Sequence, residues 1–159
     1  MMTTTETINP HFLLLARGFF GRRGHDIQDT PTEIEVECED CLVTAAPNPK
    51  DARSLMVSIA FTKADDRTAL TSPDALALMH RLNANAVLAS DWRYVIANDG
   101  QPLLVANAAL DTLNVDAFET LLADAVSQAG TMIGIATADW SATKSDPPTL
   151  ASQLTMIRG

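Results

Sequence analysis

Apolar residues recur at helical spacing in three stretches of this chain and at every second position in most of what lies between them. The first helical stretch, HFLLLARGFFGRR, has Asn9 where an N-cap belongs and Pro10 at the first helical position. It runs on until Gly24, with Arg22 and Arg23 in a last turn where cations meet the negative end of the helix dipole. From Glu33 the period drops to two. Ile34, Val36 and Cys38 fall on one face and Glu33, Glu35, Glu37 and Glu39 on the other, the pattern of a half-buried strand.

A second strand is expected from Cys41 to Ala46, a loop at Asn48, Pro49 and Lys50, and a third strand along SLMVSIAFT, where Leu55, Val57, Ile59 and Phe61 alternate with smaller residues. Residues 64–72 form a charged, polar connection ending at Ser72, an N-cap followed by Pro73. The helix beginning there carries Ala75, Leu78, Met79, Leu82, Ala86 and Ala89 in one stripe. WRYVIAND and QPLLVANAAL then flank a hairpin turn at Asp99 and Gly100. Asn114 caps a last helix with Val115, Phe118, Leu121, Leu122, Ala125, Ala129 and Met132 on one side, to about Ile135. The order α-β-β-β-α-β-β-α predicts an α+β fold, a twisted antiparallel sheet with helices packed on it. No repeat at periods of roughly 20–50 residues interrupts it.

At 159 residues the chain suits one core rather than two. The Thr-rich start and the stretch bearing Pro147 and Pro148 offer little to pack, so the expected division is a flexible tail at 1–9, a domain at 10–140 and a flexible tail at 141–159. Twenty acidic residues against eleven basic give a net charge of -9, the wrong sign for binding nucleic acid or an anionic membrane surface. The longest uncharged run, residues 125–138, falls short of the ~20 apolar residues a membrane helix needs, and no secretory signal opens the chain. A reducing cytoplasm is the expected setting.

Candidate chemistry is sparse. Cys38 and Cys41 make a CxxC, but a zinc site needs four ligands, and His11, His25 and His80 are scattered. With Glu39 and Asp40 as a hairpin turn, the two cysteines face one another across the first two strands and act as small apolar residues. No GxSxG elbow, GxGxxG, Walker loop or calcium-loop spacing occurs. The Glu33–Glu39 alternation reads as a solvated strand face. Arg17, Arg22 and Arg23 form the basic cluster, suited to compensating a helix end or to receiving an acidic partner segment. No catalytic residue, metal or cofactor is expected, and the function is sought in surfaces.

Element order, size and charge together resemble the class I chaperones of bacterial type III secretion (CesT/SycE-like). The local match runs from LALMHRLNANAVLASDWRYVIANDGQPLLVANAAL into DTLNVDAFETLLADAV: Leu82, Asn83, Ala84 and Asn85 in a helix, Asp99 and Gly100 in a turn, and Leu113, Phe118 and Leu122 at the last helix. The tails are similar to those of the broad-specificity HpaB type. The resemblance implies a cytoplasmic homodimer that holds the N-terminal part of secreted effectors in extended form and delivers it to the secretion ATPase. It implies a client groove built by the first helix and first three strands, which here supply Phe12, Leu15, Phe19, Ile34, Val36, Val57 and Ile59 as apolar candidates. The first helix, with Phe12, Phe19 and an uninterrupted LLL, carries more apolar surface than a helix of about four turns needs to anchor one side, so Phe12 or Phe19 is expected to reach the client. Leu82, Ala86, Trp92 and Tyr94, on the second helix and the strand after it, are more apolar surface than one small sheet can cover, and they are expected at the dimer interface. Gly18 and Gly21 depart from the family's more regular first helix. An NTF2-like or cystatin-like small-molecule domain, an adaptor subunit of another assembly and an enzyme with dispersed Cys and His residues are the alternatives.

Overall fold

A computed structural model describes residues 9–27, 31–86 and 91–138. The expected tails at 1–9 and 141–159, apart from Asn9, lie outside these residues, as does Ala89. The elements are α1 (Pro10–Gly21), β1 (Ile34–Glu37), β2 (Cys41–Asn48), β3 (Asp51–Phe61), α2 (Ala64–Leu70), α3 (Pro73–Ala86), β4 (Arg93–Ile96), β5 (Pro102–Ala109) and α4 (Val115–Thr137). The sheet is antiparallel throughout, in the order β1-β2-β3-β5-β4. The α+β order expected from the sequence is found, with one helix more.

That helix is α2, which replaces the expected polar connection. ADDRTAL carries no apolar stripe, and tertiary contacts hold it instead. Leu70 is fully buried, and the Arg67 guanidinium donates to the carbonyls of Phe61 at 3.0 Å and Thr62 at 2.8 Å. Asp65 and Asp66 in its first turn complement the helix dipole. Ser72 then caps α3, its Oγ accepting the Ala75 amide at 3.3 Å.

The other caps fall where expected. Asn9 Oδ1 accepts the Phe12 amide, Asn9 Nδ2 donates to Ala52 of β3, and Asn114 Oδ1 accepts the Ala117 amide at 2.8 Å. The β4–β5 turn is a three-residue loop rather than a two-residue one. Ala97 N–H donates to Gln101 at 2.9 Å, and within Asn98–Gly100 only the glycine adopts positive φ, at 84°.

One face of the sheet meets the helices. Ile34, Val43, Ala45, Leu55, Val57, Ile59, Phe61, Leu104, Ala106 and Tyr94 join Phe12, Leu15 and Phe19 of α1, Leu70 of α2, Met79 of α3 and Phe118, Leu122 and Ala125 of α4 in a single core. Phe19 is its hinge point, edge-on to Phe118 and to Phe20 with ring centroids 5.3 Å away in each case. The departure at Gly18 now has a reason: a Cβ there would stand 2.5 Å from Val115 Cγ2, so only glycine lets α1 cross the start of α4 at this distance.

Candidate functional site

Strand alternation gives the sheet a second face, which stands outside the core cluster. The register lays its residues out in rows across the strands. One row runs Leu42, Ala60, Leu103, Val95; the next Thr44, Ser58, Val105, Arg93; a third Ala46, Met56, Asn107. Apart from the polar members of these rows the face is aliphatic, and most of it is only half-buried, with Val95 exposed at 38%. Glu35 and Glu37 of β1 continue the rows on one rim and Arg93 ends one on the other. A large apolar surface that the chain's own core leaves uncovered marks a place for another molecule.

The residues expected to touch a client lie mostly elsewhere. Phe12, Leu15, Phe19, Ile34, Val57 and Ile59 are sealed in the chain's own core at 3% exposure or less, and none can reach a partner without opening it. Helical and strand periodicity shows which residues share a face and not what covers that face. Val36 is half-buried and packs against the core margin. The expectation that Phe12 or Phe19 projects from α1 is therefore corrected: the residue that projects is Leu14, exposed at 68%.

The expected dimer residues divide likewise. Trp92 and Tyr94 are buried within the chain, Trp92 Nε1 donating to Asp124 Oδ2 of α4 at 2.7 Å and the Tyr94 hydroxyl to the Leu70 carbonyl at 2.5 Å. Burial raises the Tyr94 phenol above its ordinary pKa. They are not surplus apolar surface, because α2, α3 and α4 use them. Leu82 is half-buried, while the Ala86 side chain lies outside those described. Leu76, exposed on α3, and Ile96, exposed at 43% at the end of β4, are the apolar residues at this end that sequence reasoning did not single out. Neither stands out in the sequence, because each is an ordinary member of an apolar stretch.

Asn83 of α3, one of the Leu82–Asn85 residues that carry the resemblance, meets β4 directly through its carboxamide. Oδ1 accepts the Tyr94 amide at 2.8 Å and Nδ2 donates to the Tyr94 carbonyl at 2.6 Å. The basic cluster is also occupied within the chain. Arg22 pairs with Asp116 at 2.7 Å and Glu119 at 3.1 Å, Arg23 with Glu119 at 2.9 Å, and the Arg23 guanidinium lies 3.8 Å from the Phe19 ring centroid. These arginines fasten the end of α1 to the start of α4, where acidic residues also suit the dipole.

Cys38 and Cys41 face one another as expected, with Cys38 N–H donating to the Cys41 carbonyl at 2.8 Å, and Lys63 pairs with Asp40 of the turn. Among the described residues no three His, Cys, Asp or Glu side chains group as a metal site would need. Burial, with Cys38 alongside, pushes the Cys41 thiol up from 9.0 to about 11. The folded chain thus keeps a proton that the unfolded chain gives up at lower pH. Its stabilisation is fully present below pH 9.0 and is lost as pH rises towards about 11. The urea midpoint is expected to fall across that window, and Cys41→Ala to flatten the fall, Tyr94 and the Asp40-paired Lys63, both raised, supplying slope of the same sign. Equal slopes in the two proteins would remove the thiol as the cause.

No described helix is long and apolar enough to cross a membrane. No family profile matches the chain, and no curated protein matches its sequence. Solved structures match it over most of its length. A chain of the HopA1–SchA chaperone–effector complex aligns at TM-score 0.62 and 9% identity, over 79% of this chain and 94% of that one. The Yersinia pestis type III secretion chaperone SycH, in complex with a stable fragment of YscM2, aligns at 0.57 and 18% identity, over 76% and 98%. The ExsC–ExsE complex gives 0.57 and 17% identity, over 80% and 92%. The chain has the fold of type III secretion chaperones.

Proposed function

We propose that this protein is a cytoplasmic type III secretion chaperone that binds the N-terminal region of effector proteins, keeps it export-competent and directs it to the secretion ATPase. The observation that carries the reading is the uncovered aliphatic face of β2, β3, β5 and β4 on a fold shared with chains from chaperone–effector complexes. A client without an ordered core gains affinity by laying apolar side chains on such a face. The carboxylates of Glu35 and Glu37 along one rim favour a segment with basic residues beside its apolar ones. Leu14 is exposed separately, on α1 and so on the helix side of the sheet.

Holding a client in this way needs no catalytic group, and its release belongs to the secretion apparatus. The protein acts as a homodimer, its copies meeting along α3, where Leu76 is exposed and Leu82 is half-buried against the core. The net charge of -9 opposes nonspecific self-association and binding to RNA.

Native mass spectrometry of the full chain, alone and with unfolded N-terminal segments of type III effectors, tests the proposal. The expected result is a dimer that takes up one effector segment while ignoring a folded control protein. A chain that stays at 17.1 kDa and captures no segment overturns it.

A further inference from the structure

An edge strand presents a row of unpaired backbone groups to any extended chain that meets it. The register of the second hairpin fixes which groups of β4 these are. Ala97 donates to Gln101, so Val95 and Arg93 also turn their backbone groups towards β5, and Trp92, Tyr94 and Ile96 turn theirs outward.

Two of these three outward positions are met from within the chain. The Trp92 carbonyl accepts from its neighbour Arg93 at 2.8 Å, and the Tyr94 amide and carbonyl are both taken by the Asn83 carboxamide. A carboxamide holds an acceptor oxygen and a donor N–H side by side on a planar group, as a residue of an added strand would. The Ile96 pair, beside the turn, has no bond to the described residues, and its side chain is exposed. The opposite edge is managed otherwise: β1 turns the backbones of Glu35 and Glu37 outward and carries their charges with them. Two charged side chains blunt β1, whereas β4 has Val95 and Ile96 and relies on a helix.

We propose that Asn83 is an edge guard: it fastens the last turn of α3 where the next strand would lie, and so denies β4 to the β4 of a second copy of this chain. An antiparallel pair of identical strands is self-complementary, and RYVI is β-branched and aromatic, so the strand most ready to pair with an unguarded β4 is another β4. With the guard in place two copies can meet through side chains of α3 but not through continuous sheet. The inference stands whether or not the protein binds effectors.

Asn83→Leu keeps the γ-branched outline of the side chain and removes both bonds. Hydrogen exchange at the Tyr94 amide is expected to rise about tenfold or more, as loss of its one partner requires. Sedimentation is expected to reveal species heavier than the wild-type particle, growing with concentration. Adding Ile96→Pro to this variant removes an outward N–H while sparing the bonds to β5, and is expected to restore the wild-type mass. Faster exchange with unchanged mass at every concentration overturns the proposal. So does association that survives Ile96→Pro, or exchange that does not rise. If Asn83→Leu fails to fold, Asn83→Ser, too short to make both bonds, is read the same way, and loss of folding in both makes Asn83 a fold-holding residue and ends the proposal.

Discussion

Replacing Phe19 with alanine is expected to lower stability by about 3–5 kcal/mol, a large share of the roughly 5–15 kcal/mol that holds a domain together. The ring is buried to 2%, edge-on to Phe118 and Phe20, and roofed by the Arg23 guanidinium. Its removal leaves a cavity between α1 and α4 that neither helix can close, because Gly18 and Val115 already touch. The arginine loses its ring as well. Urea denaturation followed by circular dichroism measures the loss, with Leu14→Ala as the comparison, expected within about 0.5 kcal/mol of wild type because Leu14 lies in solvent. A Phe19→Ala loss no larger than that of Leu14→Ala would mean that α1 is not docked as described.

The second large effect concerns binding. Leu103 sits in the middle of the uncovered face, between Ala60 of β3 and Val95 of β4. Leu103→Asp is expected to weaken capture of an effector's N-terminal segment by about a hundredfold or more, since a carboxylate at the centre of an apolar contact must be desolvated without a partner. The fold should survive, because the side chain does not enter the core. Near-ultraviolet circular dichroism and calorimetric titration check the two halves. Val126→Asp, on an exposed position of α4, is the control and should bind as wild type does. Equal losses in both variants, or none in either, would move the client off the sheet face.

Much of the architecture was legible because short-range chemistry dictates it. Asn9 and Asn114 cap helices since a side-chain oxygen placed before an apolar periodic run meets an amide of the first turn, and no distant contact can change that. The alternation at Glu33–Glu39 marks β1 for an equally local reason. α2 was illegible because ADDRTAL has no stripe, and its helix depends on Leu70 and on carbonyls that only the folded β3 presents. The candidate site was misread for a related reason. Phe12, Phe19, Trp92 and Tyr94 are the large residues a reader assigns to contacts, but their size is what the chain spends on its own core. The face left open is made of Leu42, Ala60, Leu103 and Val105, ordinary strand residues whose importance arises only when four strands lie side by side.

The close crossing at Gly18 also sets a timetable for the chain as it is made. α1 is synthesised before the sheet, yet the surface it docks on includes Val115, and Arg22 finds Glu119 only 97 residues later. At a translation rate of about 5–20 residues per second, that separation is on the order of 5–20 s during which the aromatic face of α1 has nothing to close it. The meander of β1, β2 and β3 is complete well before then, joined by short turns and able to pair early. The chain would thus spend its first seconds with Phe12 and Phe19 exposed, and α1 would be open to proteases and holdases until α4 leaves the ribosome.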